Sequence, residues 1–314
     1  MVDSRPMMRQ YYELKEQTEN CILFFRLGDF YEMFDDDARL VSSELDIALT
    51  SRDRKKPPEE QVPMCGVPYH SAEGYIARLI AKGYRVAICE QTEDPKKAKG
   101  LVKRAVVRIV TPGTAMEDTM LDSGRNNYLC SISLTPSGWA VCSSDISTGQ
   151  TRIAEGPGEE LSRLLQELSS CSPKAIDLLD EGASHCAELC DFISSKLSCI
   201  CLTSEFARFE EESARKNTVS RFEGQKALDE MGARAYCACG AMLSYLYDTQ
   251  KTELGHLREL DYHSEGQYMA LDVTARRNLE LCQTMRTGEK KGTLLWVLDK
   301  TKTPMGGRMM RSWL

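Results

Sequence analysis

The chain has 314 residues and a mass of 35.3 kDa, 42% hydrophobic and 28% charged, a globular composition with room for two domains and the start of a third. No stretch approaches about 18 uncharged apolar residues and the first ten, MVDSRPMMRQ, are polar, so neither a membrane span nor a secretory signal is read and a cytoplasmic protein is expected. With 40 basic against 47 acidic residues the net charge is −7, which argues against a uniformly basic nucleic-acid coat.

The charge is unevenly spread. Residues 1–115 hold 18 basic and 18 acidic residues, so the whole excess of acid lies beyond them. Cysteines divide the same way, 3 before and 10 after, and this change places a domain boundary near residue 115. In the first segment Cys21 to Leu27 is an apolar β-like run, Gly28-Asp29 a turn pair, and Phe30 to Phe34 a second extended run, together a hairpin. Asp35-Asp36-Asp37 then supplies an N-cap and first-turn acids for a helix through Leu40, Val41, Glu44 and Leu45. After a short strand near Ile47 to Thr50, the stretch Arg54 to Glu60 with Pro57-Pro58 is an exposed loop. Ser71 caps a second helix carrying Tyr75, Ile76, Leu79 and Ile80, which Gly83 ends before a strand from Tyr84 to Cys89. Lys103 to Val110 reads as the last strand of a small mixed α/β unit, closed by Thr111 to Thr114.

Thr114 to Asn127 is polar and turn-rich, a connector. Three hairpin strands follow, Tyr128 to Leu134, Trp139 to Ile146 and Gln150 to Ala154, then a helix from Glu159 to Leu168 and a strand from Ala175 to Leu179. Lys226 to Lys251 reads as one long helix with Leu228, Met231, Ala235, Met242 and Leu246 on a face, interrupted but not broken by Gly232 and Gly240. Hairpin strands followed by α/β alternation suggest a mixed sheet of the ribonuclease-H-like kind. A third segment begins near Asp261, with Ala275, Leu279 and Cys282 on one face of a helix from Asp272 to Gln283. Thr303-Pro304 starts a final helix, and the stop at Trp313-Leu314 leads to the expectation of a longer parent protein.

In Phe30-Tyr31-Glu32 the alternation of an extended chain turns Phe30 and Glu32 to one side and Tyr31 and Met33 to the other. GDFYEMF at Gly28 to Phe34, VPMCGVPYHS at Val62 to Ser71, RVAICEQ at Arg85 to Gln91 and VVRIVTPGT at Val106 to Thr114 together resemble the mismatch-recognition domain of the MutS family of DNA mismatch-repair proteins. DISTGQ at Asp145 to Gln150 resembles that family's connector domain, and ARRNLEL at Ala275 to Leu281 with TPMGGRMMRSWL at Thr303 to Leu314 resembles the opening of its lever and core region.

The resemblance implies a fold of class α/β: a mismatch-recognition domain over 1–115, a linker over 116–127, a ribonuclease-H-like connector domain over 128–251 and the truncated start of a helical lever and core domain over 261–314. It implies that Phe30 wedges beside a mispaired base and that Glu32 touches the same base. Arg52, Arg54, Lys55 and Lys56, with Lys96, Lys97, Lys99, Lys103, Arg104 and Arg108, form two basic clusters that make a candidate phosphate-contacting rim; among them Arg52, Lys55, Lys103, Arg104 and Arg108 are the backbone candidates. Met64, Tyr69 and His70 fall in the second motif, near the minor groove, although Met64 and Tyr69 fit a core role equally. The partners implied are double-stranded DNA with mispairs or small loops, a MutL-type protein and, in the full-length family, a second copy of the chain, in the cytoplasm of a bacterium and associated with its nucleoid.

No Gly-Lys dipeptide occurs, so no phosphate-binding P-loop exists in these residues. ATP and magnesium are expected only of the full-length family, and no enzyme activity, cofactor or metal is assigned here. Cys237 and Cys239 lie about 200° apart on a helix and cannot clamp one ion. Cys186, Cys190, Cys199 and Cys201, near His185, contain no CxxC pair, and the cysteines read as reduced core thiols. Two alternatives remain: a ribonuclease-H-like nuclease built on Asp145 and Asp177, and a MutS-like recombination protein that does not read mismatches. The complete F-Y-E motif speaks against the second.

Overall fold

The hairpin lies at the centre of a six-stranded sheet in the computed structural model, which describes residues 6–18, 20–51, 57, 61–93, 100–117, 119–121, 125–197, 199–201, 206–252, 254–263, 271 and 273–314. Helix α1 (Pro6–Glu16) precedes β1 (Ile22–Leu27) and β2 (Phe30–Phe34), antiparallel strands that pair Leu27 with Phe30 and Phe25 with Glu32. Gly28 takes φ 59° between them, as a two-residue primed turn requires at its first position. Then come α2 (Asp35–Leu45), β3 (Thr50–Ser51), β4 (Pro63–Pro68), a 3₁₀ turn at Tyr69–Ser71, α3 (Ala72–Ala81), β5 (Val86–Gln91) and β6 (Arg104–Val110). The strand order is β3-β4-β2-β1-β5-β6, antiparallel except where β1 meets β5.

The pleat gives this sheet two faces. Phe24, Met33, Cys65 and Val67 are buried on the face where α2 and α3 lie against β2, β4 and β5. Phe34, Phe25, Leu23, Ala87 and Cys89 are buried on the other, beneath Met8, Tyr11 and Leu14 of α1. The Asp35 to Asp37 run does not cap α2 by side chain: the N-cap is Phe34, and Asp37 turns inward. Its carboxylate accepts from Lys15 Nζ at 2.8 Å and from the Leu23 amide at 3.0 Å, so α1, α2 and β1 share one buried anion. Ser71 likewise caps nothing with its side chain, since its hydroxyl donates to the Pro68 carbonyl at 3.2 Å. The loop at Arg54 to Glu60 falls outside the described residues except for Pro57, which is exposed.

The second unit runs from Gly113, while Thr249–Thr252 groups with the first. Its strands β7 (Leu129–Thr135), β8 (Gly138–Asp145) and β9 (Gln150–Gly156) form an antiparallel meander. After α4 (Leu161–Cys171), β10 (Ala175–Leu179) returns parallel to β7. Beyond α5 (Glu181–His185) and α6 (Ala187–Lys196), β11 (Ile200–Cys201) adds parallel to β10. This is the mixed α/β layer expected. β8 is buried along its full length because both faces are covered, by Ala235, Tyr236, Cys239 and Met242 on one side and Leu164, Leu168 and Ile193 on the other.

The helices after a 3₁₀ turn at Phe206–Phe209 are α7 (Glu211–Arg221), α8 (Ala227–Glu230) and α9 (Ala233–Gln250), followed by β12 (Glu259–His263), α10 (Val273–Asn278), α11 (Leu294–Leu298) and α12 (Pro304–Ser312). Three expectations change here. The long helix from Lys226 is broken, because Met231 is extended and the Gly232 amide donates to Glu155 Oε1 at 3.0 Å instead of continuing a helix. Gly240 does sit within α9, where an added Cβ would lie 2.3 Å from Ala214 Cα of α7, so only glycine permits this crossing. Asp261 does not open a third segment: it lies in β12, which extends the meander's sheet by pairing parallel to β9. Nor does a helix carry Ala275, Leu279 and Cys282 together; α10 ends at Asn278 and Glu280 takes a left-handed φ of 46°. The expected linker is partly structural, since Thr114 and Ala115 are buried and Asn127 binds Asp145. Among the described residues, no helix is long and apolar enough to cross a membrane.

Replacing Asp37 by alanine should leave the Lys15 ammonium and the Leu23 amide without their acceptor and cost about 3 kcal/mol, read as a lower urea midpoint with little change in slope. Cys21, Cys65, Cys89, Cys142, Cys237 and Cys239 are buried thiols. Burial pushes Cys65 and Cys89 up to about 12. Unfolded thiols ionise near 8.5, so the folded state holds these protons more tightly, and its stability is full below about pH 8.5 and falls as pH rises toward 12. Thermal unfolding followed from pH 8 to 11 should show that fall, and it should shrink in a Cys65→Ala, Cys89→Ala double variant.

Candidate nucleic-acid interface

Alternation along β2 sends Tyr31 and Met33 into the α2–α3 side and Phe30, Glu32 and Phe34 to the opposite face. On that face exposure rises along the strand. Phe34 is 1% exposed, its ring 4.9 Å from that of Tyr11 and edge-on to it; Glu32 is half-buried; Phe30 is 47% exposed. Helix α1, about 16 Å long, covers the Phe34 end of the face.

The neighbouring strand keeps the open end clear. Glu32 pairs with Gly66 and Phe30 with Pro68. A Cβ at Gly66 would lie 3.5 Å from Glu32 Cγ and 3.8 Å from Phe30 Cδ1, so any larger side chain there would crowd the flank of both. Tyr69 and His70 follow Pro68 directly. Tyr69 is 45% exposed, stands edge-on to His70 at 5.9 Å, and donates its amide to the Asp29 carbonyl at 2.9 Å. Tyr69 and His70 thus border the turn that carries Phe30, with the Tyr69 ring over Arg26, the cross-strand partner of Tyr31. Behind them, burial and a hydrogen bond to Glu90 push the Tyr31 phenol well above its ordinary value.

The basic candidates divide. Lys103 is exposed, and its amide donates to Glu93 Oε1 at 2.7 Å. Arg104, expected in the phosphate rim, is instead only 9% exposed. Its Nε donates to the Arg26 carbonyl at 2.7 Å, its Nη1 to Gln10 and Val102, and its guanidinium lies 4.9 Å from the Phe25 ring centroid. Burial lowers its pKa, opposed in part by the negative charge of Glu32. Arg108 pairs with Ile88, which places it on the face opposite Phe30. Met64 pairs with Phe34 and packs against the α1 cluster, a core position rather than a groove-facing one. Arg52 and Lys55 lie outside the described residues, as do Arg54, Lys56, Lys96, Lys97 and Lys99.

One residue of the site was not singled out from sequence. Arg26, beside the turn on β1, lies with its guanidinium carbon 3.7 Å from the Tyr69 ring centroid. The clue was available in the pattern FFRLGDF, where a lone charge interrupts an apolar strand two residues before a tight turn. In the second unit, Asp145 is fully buried and its carboxylate is taken up by its own turn, accepting from the Ser147 amide and hydroxyl and from the Asn127 amide. That environment caps a turn and does not present a carboxylate to a metal ion, which disfavours the nuclease alternative.

MutS domain I matches residues 5–119, MutS domain II residues 127–258 and MutS domain III residues 274–314. The chain is 48% identical over 312 residues to the DNA mismatch repair protein MutS of Ruminiclostridium cellulolyticum, covering 98% of this chain and 35% of that protein. It is 46% identical over 318 residues to that of Lachnoclostridium phytofermentans, covering 100% and 34%, and 48% identical over 320 residues to that of Desulforamulus reducens, covering 98% and 36%. The chain belongs to the MutS family, and it spans about a third of the length of these curated relatives.

Proposed function

We propose that this chain is the mismatch-reading and connector portion of a DNA mismatch-repair protein, and that Phe30 and Glu32 probe mispaired or unpaired bases in a kinked duplex. The observation that carries the reading is the exposure of Phe30 beside half-buried Glu32 at an uncrowded sheet end, in a chain of the MutS family. An aromatic inserted through the minor groove unstacks a base step and kinks the duplex, at a cost of a few kcal/mol that falls where pairing is already defective. Deformability is a property that many different mispairs share. Lys103 and, on sequence alone, Arg52 and Lys55 are the phosphate contacts of this reading, with His70 at the groove; Arg104 and Met64 support the site from within.

Other parts of the reading extend past these residues. ATP and magnesium would bind elsewhere in the full-length family protein, a second copy of the chain would complete the DNA clamp, and a MutL-type protein would receive the signal. A bacterial cytoplasm, with the nucleoid as the working surface, fits those partners.

Titration of matched and mismatched duplexes at two salt concentrations tests the core of the proposal. Phe30→Ala should lower affinity for the mismatched duplex roughly ten- to a hundredfold, since base–aromatic stacking is worth about 1–3 kcal/mol, and leave matched binding little changed. Loss of the fold instead would show Phe30 to be a core residue. Glu32 should behave oppositely. Its carboxylate is repelled by phosphates on every duplex and regains energy only where a displaced base offers a hydrogen bond, so Glu32→Ala should strengthen matched binding more than mismatched binding. An unchanged ratio of the two affinities in Glu32→Ala would remove the role assigned to it.

A further inference from the structure

A wedge bends DNA only if its mounting is stiffer than the base step it opens. Phe30 follows directly on Gly28-Asp29, an exposed turn whose glycine has the widest backbone freedom of any residue. Something must therefore restrain the tip. Arg26 meets it from three directions: its Nε donates to the Gly28 carbonyl at 2.6 Å, its guanidinium carbon lies 3.7 Å from the Tyr69 centroid and 5.5 Å from that of Tyr31, and its Nη1 is 3.6 Å from Glu90 Oε1. Glu90 also accepts from the Tyr31 hydroxyl. Tyr69 closes the loop by donating its amide to Asp29. The Arg26 side chain is only 16% exposed, so its donors serve protein groups rather than solvent.

We propose that Arg26 is a positioning residue for Phe30, locking the hairpin tip to the Tyr69 ring and to β5 so that the wedge resists being pushed back when the duplex bends. This rests on the wedge reading above. The lock needs a planar cation, because stacking on Tyr69, bonding to Gly28 and pairing with Glu90 occur together; a lysine ammonium can donate to both oxygens but has no planar face to lay on the Tyr69 ring while it does so. It makes Tyr69 the opposing jaw, with the ring face and not the hydroxyl as the active feature.

The test places 4-fluorophenylalanine at position 30 of the whole chain and reads ¹⁹F relaxation without DNA, in Arg26→Ala, Arg26→Lys, Tyr69→Ala and Tyr69→Phe. The first three should sharpen the resonance as the ring gains motion, and Tyr69→Phe should not. In the duplex titrations the same three should reduce discrimination roughly three- to tenfold, the range expected for a partly buried cation–π contact, while Arg26→Ala with Tyr69→Ala should be no worse than either alone. If Arg26→Ala fails to fold, Arg26→Lys and Tyr69→Ala carry the test. An unaltered ¹⁹F line in the Arg26 variants overturns the inference. Phe30→Ala separates the two levels: if it keeps full discrimination the wedge reading fails, whereas if it loses discrimination and the Arg26 variants keep both line and ratio, the positioning role alone fails.

Discussion

Five residues of β2 face a constraint that the first unit is arranged around: alternate side chains must serve the core beneath α2 and α3 on one side and, on the other, a face that α1 buries at Phe34 and leaves open at Phe30. A shift of one residue would turn Glu32 into the apolar layer with Phe24 and Val67 and carry Met33 to the opposite face. Two devices oppose such a slip. The Gly28-Asp29 turn sets Leu27 opposite Phe30, and Asp37, immediately after the strand, is anchored to the Leu23 amide and to Lys15. The exposure of Phe30 is thus a consequence of register, fixed by an exposed turn at one end of the strand and a buried carboxylate beyond the other.

What was legible in the sequence follows from where local rules govern. The first hairpin, the helix at Ala72–Ala81, the meander and β10 all carry their own periodicity or turn chemistry, and each forms within a few residues of its expected bounds. Strand β4 did not announce itself, because Pro63, Gly66 and Pro68 are poor strand residues; it exists because β2 and β3 supply partners on both sides. The extension of the second sheet by β12 and the break at Gly232 were invisible for the same reason. Both depend on long-range partners, β9 in one case and Glu155 in the other.

The candidate site shows the same division. Phe30 and Glu32 could be assigned to one face from alternation and to a role from resemblance, and the geometry is compatible with both. The basic rim could not be read residue by residue, since a run such as Lys103-Arg104 reads as one patch while its neighbours point in different directions. Lys103 is exposed and Arg104 is buried against Phe25. Charge in a sequence locates a patch; only packing decides which members face a ligand.

On the proposed reading, this division bears on how discrimination arises. Residues 1–115 carry equal numbers of acidic and basic groups. The two arginines near the wedge, Arg26 and Arg104, direct donors to Gly28, Arg26, Gln10 and Val102 within the protein. A sheet end built this way has little general attraction for a duplex, and Glu32 reduces it further. Phosphate contacts that bind every sequence equally add affinity without selectivity. Engaging the donors of these nearby arginines within the protein keeps them from bonding phosphates, which leaves deformation of the base step as the energy term that varies most between one DNA and another, and a rigid probe responds chiefly to that term.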